Sequence, residues 1–177
     1  MKYSLVIVIL VFLSSASQAK QYGWNYMDIG YSEDGLGSGS SYAVSSDFMS
    51  HLFARASILR HQQQTDTKPI NSLFSFFTAG YQYRSLFFEA GVSQYDICWY
   101  ACAGYTGNIV RAGLAGSSDG LTGKFGVGTL NIMDQRWSVF EADASYAINQ
   151  KISISFGIMD INDLTEKITK FSLRMTW

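Results

Sequence analysis

The sequence of 177 residues contains one proline, two cysteines and two histidines, and its charges nearly cancel. A formal net charge of −1 gives no basic surface, so neither nucleic acid nor an acidic polymer is indicated as a partner. Beyond the N-terminal segment, no apolar run is long enough for a membrane helix, which needs about 20 residues. No stretch shows an obvious helical periodicity either. What is abundant is aromatic residues, at 15%, and glycine, with 16 residues.

The N-terminal segment has the three parts of a secretory signal peptide. Lys2 supplies the positive charge, residues 5–13 form an unbroken apolar run, and Ser17-Gln18-Ala19 provides the small-x-small cleavage pattern. A run of nine residues is too short to span a bilayer as a helix. The sequence therefore predicts a signal peptide over residues 1–19 and one mature domain over residues 20–177.

The mature domain alternates apolar and polar residues with a period of two. In the last stretch Phe171, Leu173, Met175 and Trp177 alternate with small or polar residues, and residues 152–158 repeat the pattern. A period of two places successive side chains on opposite faces of a β-strand. The domain is therefore predicted to be all-β.

Ten such segments can be recognised, separated by alternating short and long links. The short links are 46–50, 84–85, 117–120 and 149–150, whereas 63–70 and 97–105 are longer and more polar. This pattern is typical of an antiparallel transmembrane barrel with periplasmic turns and external loops. We predict a closed barrel of ten strands, with eight as the alternative. The ten segments are 22–32, 37–46, 51–62, 71–84, 86–96, 106–117, 121–133, 137–148, 151–161 and 167–177.

Alternation alone does not separate a membrane barrel from a soluble one, because the period is the same. Aromatic residues near strand ends favour the membrane barrel, since they match its interfacial girdles. The other face carries charges at mid-strand, and the chain stops on an aromatic residue. The aromatic residues in question are Tyr31, Tyr81, Tyr83, Tyr146 and Trp177.

The mature chain resembles the small outer-membrane β-barrel proteins of Gram-negative bacteria, the group of OmpX-like, opacity-type and porin-like small barrels. The resemblance lies in the repeated Gly-Tyr pairs and in a C-terminal strand similar to the signal read by the barrel-assembly machinery. It implies a location in the outer membrane, with outer-membrane lipids, lipopolysaccharide and that machinery as partners. The residues of the assembly signal are Phe171, Leu173, Met175 and Trp177.

When each strand is oriented by its apolar side, eight charged residues point into the lumen, four acidic and four basic. A lone buried charge is severely penalised, so such charges pair or stay hydrated. The equal mixture predicts an ion-pair network that fills the lumen. The same orientation places Phe53, Phe74 and Phe76 inside. The eight charged residues are Asp28, Arg55, Glu89, Arg111, Lys124, Glu141, Asp143 and Arg174.

Few residues suggest other chemistry. Cys98 and Cys102 are expected to form a disulfide in an external loop, because the cell envelope is oxidising. A metal site is the alternative, but no third cysteine or histidine lies nearby. His51 and His61 match neither the His-x-Ser pair of lipid A deacylases nor the length of omptin-type proteases. We therefore expect no catalytic residue, no metal site and no cofactor.

The sequence thus predicts a non-enzymatic outer-membrane barrel with a filled, charge-balanced lumen. Its surface loops are expected to serve surface interaction or envelope integrity, with an extracellular ligand that the sequence does not identify. The alternative is a narrow porin-like channel for small solutes or ions, because barrels of this size are either filled or hollow according to their inward side chains.

Overall fold

A computed structural model describes residues 22–34, 37–64, 68–162 and 167–177. The predicted signal peptide, residues 1–19, lies outside the described residues. Within the described ranges, no helix has both the length and the apolar character required to span a membrane.

The described chain forms ten strands in one closed barrel, in which every strand is antiparallel to both neighbours. The first strand closes the barrel on the last, with Tyr26 opposite Thr176 and Glu33 opposite Thr169. The ten-strand prediction is confirmed over the eight-strand alternative. The strands are β1 Tyr26–Glu33, β2 Gly37–Met49, β3 Leu52–Gln63, β4 Ile70–Tyr83, β5 Leu86–Cys98, β6 Cys102–Ser118, β7 Leu121–Ile132, β8 Gln135–Ala147, β9 Ile152–Ile161 and β10 Ile168–Thr176.

Four short connections lie at the end of the barrel where β1 begins and β10 ends. These connections are residues 50–51, 84–85, 119–120 and 148–151. We call this the periplasmic end, in keeping with the short turns of such barrels. Asp119 and Gly120 have φ values of 47° and 81°. Two successive positive φ angles fit the twist of flanking strands in a two-residue hairpin, and Asp-Gly tolerates them well.

Several predicted boundaries are wrong: the second strand, for example, continues to Met49 and not to residue 46. The first strand begins at Tyr26 and not at residue 22, because the preceding residues leave the wall and enter the lumen. The predicted external loop 97–105 is instead mostly strand: β5 and β6 remain paired up to Cys98 opposite Cys102. Only residues 99–101 form the connection. The pairing of two strands depends on both segments. The alternation within one segment therefore does not show how far its pairing with the neighbouring strand extends.

The outer surface is apolar and the inner surface carries the charges. Side chains such as Ile29, Phe77, Phe88 and Val127 are about half exposed on the outside. A soluble barrel would bury these side chains in its core, whereas a transmembrane barrel presents them to lipid. Closure also removes every sheet edge from the lipid phase, where unpaired backbone groups are costly. The fold is therefore a transmembrane β-barrel of the outer-membrane type.

The aromatic residues predicted for the interfacial girdles all lie on the outside. Their exposed fractions range from 46% for Tyr81 to 64% for Tyr146 and Trp177. Tyr31 and Tyr83 are exposed to a similar extent. The inward prediction for Phe53, Phe74 and Phe76 is likewise confirmed, since all three are buried. Orientation of the strands by their apolar face was therefore correct.

Candidate functional site

The eight charged residues selected from the sequence lie on the inner wall, and we call this group the charged layer. Three acid–base pairs sit directly opposite each other on adjacent strands: Asp28 and Arg174, Glu89 and Arg111, and Lys124 and Asp143. Opposite positions on adjacent strands bring side chains within contact distance. The local part of the network therefore follows from strand register.

Glu141 is the centre of this layer, with four basic groups around its carboxylate. Arg55 donates to both of its oxygens, at 3.0 and 2.6 Å. Arg111 and Lys124 donate to Oε2 at 2.7 and 3.0 Å, and Lys170 donates to Oε1 at 3.2 Å. The Arg55–Glu141 pair is bidentate, the geometry that makes arginine–carboxylate contacts strong.

The Arg55–Glu141 pair crosses the lumen from wall to wall. Arg55 lies on β3 and Glu141 on β8, and in the strand order these are five positions apart in a ring of ten. The two residues therefore face each other across the barrel axis. A direct hydrogen-bonded contact between opposite walls therefore crosses the barrel axis at this level.

Glu89 forms a second anionic position beside this bridge. Its Oε1 lies 2.7 Å from Arg111 Nε and 3.7 Å from Arg55 Nη1, and its Oε2 accepts a hydrogen bond from Thr78 Oγ1 at 3.0 Å. The Arg111 Nε contact is an ion pair by distance, without the alignment of a hydrogen bond. All of these charged groups are nearly or fully inaccessible to solvent.

Sequence reasoning missed Lys170, which completes the layer. Its Nζ lies 3.2 Å from Glu141 and 3.4 Å from Asp143. Lys170 has the same strand parity as Arg174, and this parity was the signal that could have found it. With Lys170, the described layer contains five basic and four acidic residues. The predicted equal number of acidic and basic residues is therefore wrong by one basic residue.

An aromatic cluster, which we call the periplasmic plug, is buried in the lumen at the periplasmic end. Trp24 stacks on Phe53 with ring centroids 3.6 Å apart, and its indole nitrogen donates to the side-chain oxygen of Gln82. The segment before β1 had been predicted as strand, so its role as lumen filling was missed. The plug consists of Tyr22, Trp24, Tyr26, Phe53, Phe87 and Ala115.

The plug is joined to the charged layer through Arg174. This guanidinium pairs with both oxygens of Asp28 at 2.7 Å and donates to the Tyr22 hydroxyl at 2.7 Å. Tyr22 precedes the first strand, and burial raises the pKa of its phenol, so it remains a neutral acceptor for Arg174. The plug is thus held by hydrogen bonds as well as by ring stacking.

A larger apolar cluster lies inside the barrel toward the extracellular end. Tyr95 stacks on Phe74 with ring centroids 4.2 Å apart, and Trp137 packs against the same cluster. The charged layer therefore lies between two apolar layers. The cluster consists of Leu59, Phe74, Phe76, Ile109, Leu130, Ile132, Val139, Met159, Ile161 and Ile168.

A cavity of about 40 Å³ remains beside the charged layer. Its lining includes Asp28, Arg55, Asp143 and Lys170, and small residues such as Ser172. A polar space of this size accommodates ordered water, which needs roughly 10–15 Å³ for each molecule.

The remaining predicted residues lie away from this layer. Cys98 and Cys102 are joined by a disulfide at the tip of the β5–β6 hairpin. His51 lies in a periplasmic turn, and His61 lies inside near the extracellular end, 3.0 Å from Asp34. Among the described residues, no group of three or more His, Cys, Asp or Glu side chains could hold a metal ion. The predicted assembly-signal residues Phe171, Leu173, Met175 and Trp177 belong to or follow β10 and have the parity of its outward face.

No protein-family model matches the chain, and no curated protein matches it. Among solved structures, the chain is similar to the KdgM porin, with 7% identity over 86% of this chain and 99% of that one and a TM-score of 0.47. Ail, the attachment invasion locus protein of Yersinia pestis, shares 10% identity over 88% of this chain and 98% of its own, with a TM-score of 0.38. Outer membrane phospholipase A from Escherichia coli shares 8% identity over the same fractions, also with a TM-score of 0.38. Likeness at this level says nothing about activity.

Proposed function

We propose that this chain is an integral outer-membrane protein with a sealed lumen, which acts without catalysis through its extracellular surface. The observation that carries the proposal is the Arg55–Glu141 bridge across the barrel axis. Apolar clusters lie above and below this bridge, so an ion would have to cross three successive barriers. An ion passes a pore most easily where the pore binds it weakly and it keeps its water. A lumen filled by apolar clusters and paired charges offers neither condition.

With the lumen filled, the surfaces that remain for function are the lipid-facing belt and the extracellular connections. One of these connections is the β5–β6 hairpin, which is tied by its disulfide and carries the exposed side chains Trp99 and Tyr100. Large aromatic side chains held by a rigid support are typical anchors of protein interfaces. This arrangement supports a role in surface interaction.

A narrow channel is the second candidate, and one observation favours it. The inner wall formed by β2, β9 and β10 carries small buried residues, among them Ser41, Ser155 and Ser172, and the 40 Å³ cavity lies against this wall. Rearrangement of a few side chains on this side would widen the lumen more easily than on the wall that carries the bulky aromatic residues.

Single-channel recording in planar bilayers tests the proposal. The sealed lumen predicts no conductance steps for the unaltered protein. A variant that trims both ends of the lumen and removes the bridge, with Trp24→Ala at the periplasmic plug, Arg55→Ala at the bridge and Phe74→Ala plus Phe76→Ala at the extracellular cluster, should raise conductance. The matched control is Phe77→Ala plus Phe88→Ala on the lipid-facing surface, which should stay silent. Steady conductance by the unaltered protein would favour the channel.

A further inference from the structure

The charged layer contains one basic residue more than its acidic residues neutralise one to one. Each of the four acids has a close basic partner, and these four pairs leave one amine over. That amine is the Nζ of Lys170, which lies near Glu141 and Asp143, two acids that already have other partners. An uncompensated charge in a buried layer is unfavourable, and a counter-ion relieves it. The four pairs are Asp28–Arg174, Glu89–Arg111, Glu141–Arg55 and Asp143–Lys124.

The 40 Å³ cavity lies beside this surplus charge, since both Lys170 and Arg55 are part of its lining. Small residues create the space: at one level of the inner wall, four neighbouring strands carry only serine or glycine. A cavity of this size has room for about three water molecules. The small residues, in order across β2, β1, β10 and β9, are Ser41, Gly30, Ser172 and Ser155.

Two donors on residues of the cavity lining have no hydrogen-bond partner among the described residues. They are the Nε of Arg55 and the hydroxyl of Ser57, and both atoms are inaccessible to solvent. The guanidinium of Arg55 is more than nine-tenths buried and uses its two terminal nitrogens on Glu141, so the Nε–H is left over. Buried donors without a protein partner are rare, and each one points to a bound water or ion.

The two acids in the lining are already engaged with other cations. Both oxygens of Asp28 accept hydrogen bonds from Arg174 at 2.7 Å. Asp143 lies between two amines, each at 3.4 Å. Asp34, another acid inside the barrel, lies toward the extracellular end beside His61 and does not line the cavity. The groups left to meet a ligand are therefore an amine, a guanidinium N–H and a hydroxyl.

We infer that this cavity is a binding site for one small monovalent anion, of the size and charge of chloride. Its ligands are the Lys170 ammonium, the Arg55 Nε–H and the Ser57 hydroxyl. One negative charge balances the surplus of the layer, and a chloride ion is only slightly larger than a water molecule. Sulfate or phosphate exceeds both the space and the charge. The inference goes beyond the proposed function, because the anion completes the ion-pair network and has no part in surface interaction.

The test is reversible urea unfolding of the full chain in phosphatidylcholine vesicles. Sodium chloride is replaced stepwise by sodium gluconate at constant ionic strength, since gluconate is far too large for the cavity. An ion that binds only the folded chain raises the folding equilibrium constant in proportion to its concentration above Kd. A tenfold increase of chloride in that range should therefore raise the constant about tenfold, and bromide should act alike.

Variants separate the site from a general salt effect. Lys170→Met removes the surplus amine and leaves four basic and four acidic residues in the layer, so the chloride dependence should disappear. Lys151→Met, at a periplasmic turn, is the matched control and should keep it. Ser57→Val removes one donor without a change of charge and should raise the Kd for chloride about tenfold. If Lys170→Met does not fold, Ser57→Val decides.

A crystal grown in sodium bromide gives a direct check, because bromide scatters anomalously. The unaltered protein should show an anomalous peak next to Arg55 Nε and Lys170 Nζ. A folding constant that does not respond to chloride would overturn the inference. So would an equal response in Lys170→Met and Lys151→Met, or bromide peaks on the outer surface alone.

The two proposals fail separately. Conductance by the unaltered protein would refute the sealed lumen, while the chloride dependence of folding and its loss in Lys170→Met would still be measurable. A silent barrel whose folding is insensitive to chloride would leave the sealed lumen intact and refute only the anion site.

Discussion

Replacement of Glu141 by glutamine tests the central contact of the lumen with the smallest possible change of shape. At neutral pH the carboxylate is within 3.2 Å of four basic side chains. Glutamine retains an acceptor oxygen and fills the same space, but it removes the negative charge. Five basic residues would then share the three remaining acids of the layer.

The expected loss of stability follows from the burial of Arg55 and Glu141. Both Arg55 and Glu141 are almost inaccessible to solvent, at 6% and 1% of their exposed area. Removal of one partner from a buried pair typically costs about 3–5 kcal/mol, because the abandoned charge remains buried. We therefore expect Glu141→Gln to lower the free energy of unfolding by about this amount. Glu33→Gln, the same chemical change at an exposed position of β1, is the matched control and should have little effect.

The assay is reversible urea unfolding in lipid vesicles, followed by tryptophan fluorescence. A double variant, Glu141→Gln with Lys124→Met, should recover part of the loss, since it also removes one uncompensated cation. If Glu141→Gln is no more harmful than Glu33→Gln, the charged layer is hydrated and contributes little to stability. That outcome would contradict a direct, stabilising bridge between Arg55 and Glu141.

Three further results are expected from the structure. Arg174→Ala should cost about 3–5 kcal/mol in the same unfolding assay because it leaves Asp28 unpaired, whereas Lys151→Ala at a periplasmic turn should change stability little. Trp24→Ala should lower the free energy of unfolding by about 3–5 kcal/mol, because it removes the ring that stacks on Phe53. Trp99→Ala at the exposed hairpin tip is the control, and equal effects of the two variants would argue against the plug. Thiol labelling of protein extracted from envelopes without reductant should find the tip cysteines blocked, and full labelling would contradict the disulfide.

Much of the fold was determined by the local sequence pattern. A period of two, with turn residues at regular intervals, specifies strands and their inner and outer faces, because side chains on a strand alternate strictly. This was enough to place Arg55, Glu141 and Arg174 inside and Tyr146 outside. Where one face must meet lipid and the other cannot, a shift of one residue would invert every side chain, so strand register is strongly specified.

The tertiary structure decided what the pattern does not encode. Arg55 and Glu141 are 86 residues apart and lie on opposite walls, so only the number of strands and the closure of the barrel bring them together. Trp24 continues the alternation of a strand, yet it leaves the wall because the periplasmic end of the lumen offers an apolar space to fill. β6 pairs with β5 over residues 102–114 and with β7 over residues 108–118, so the two neighbours are staggered along it. Strand faces are a local property of the chain, whereas contacts across the lumen and the height of each wall depend on the whole ring.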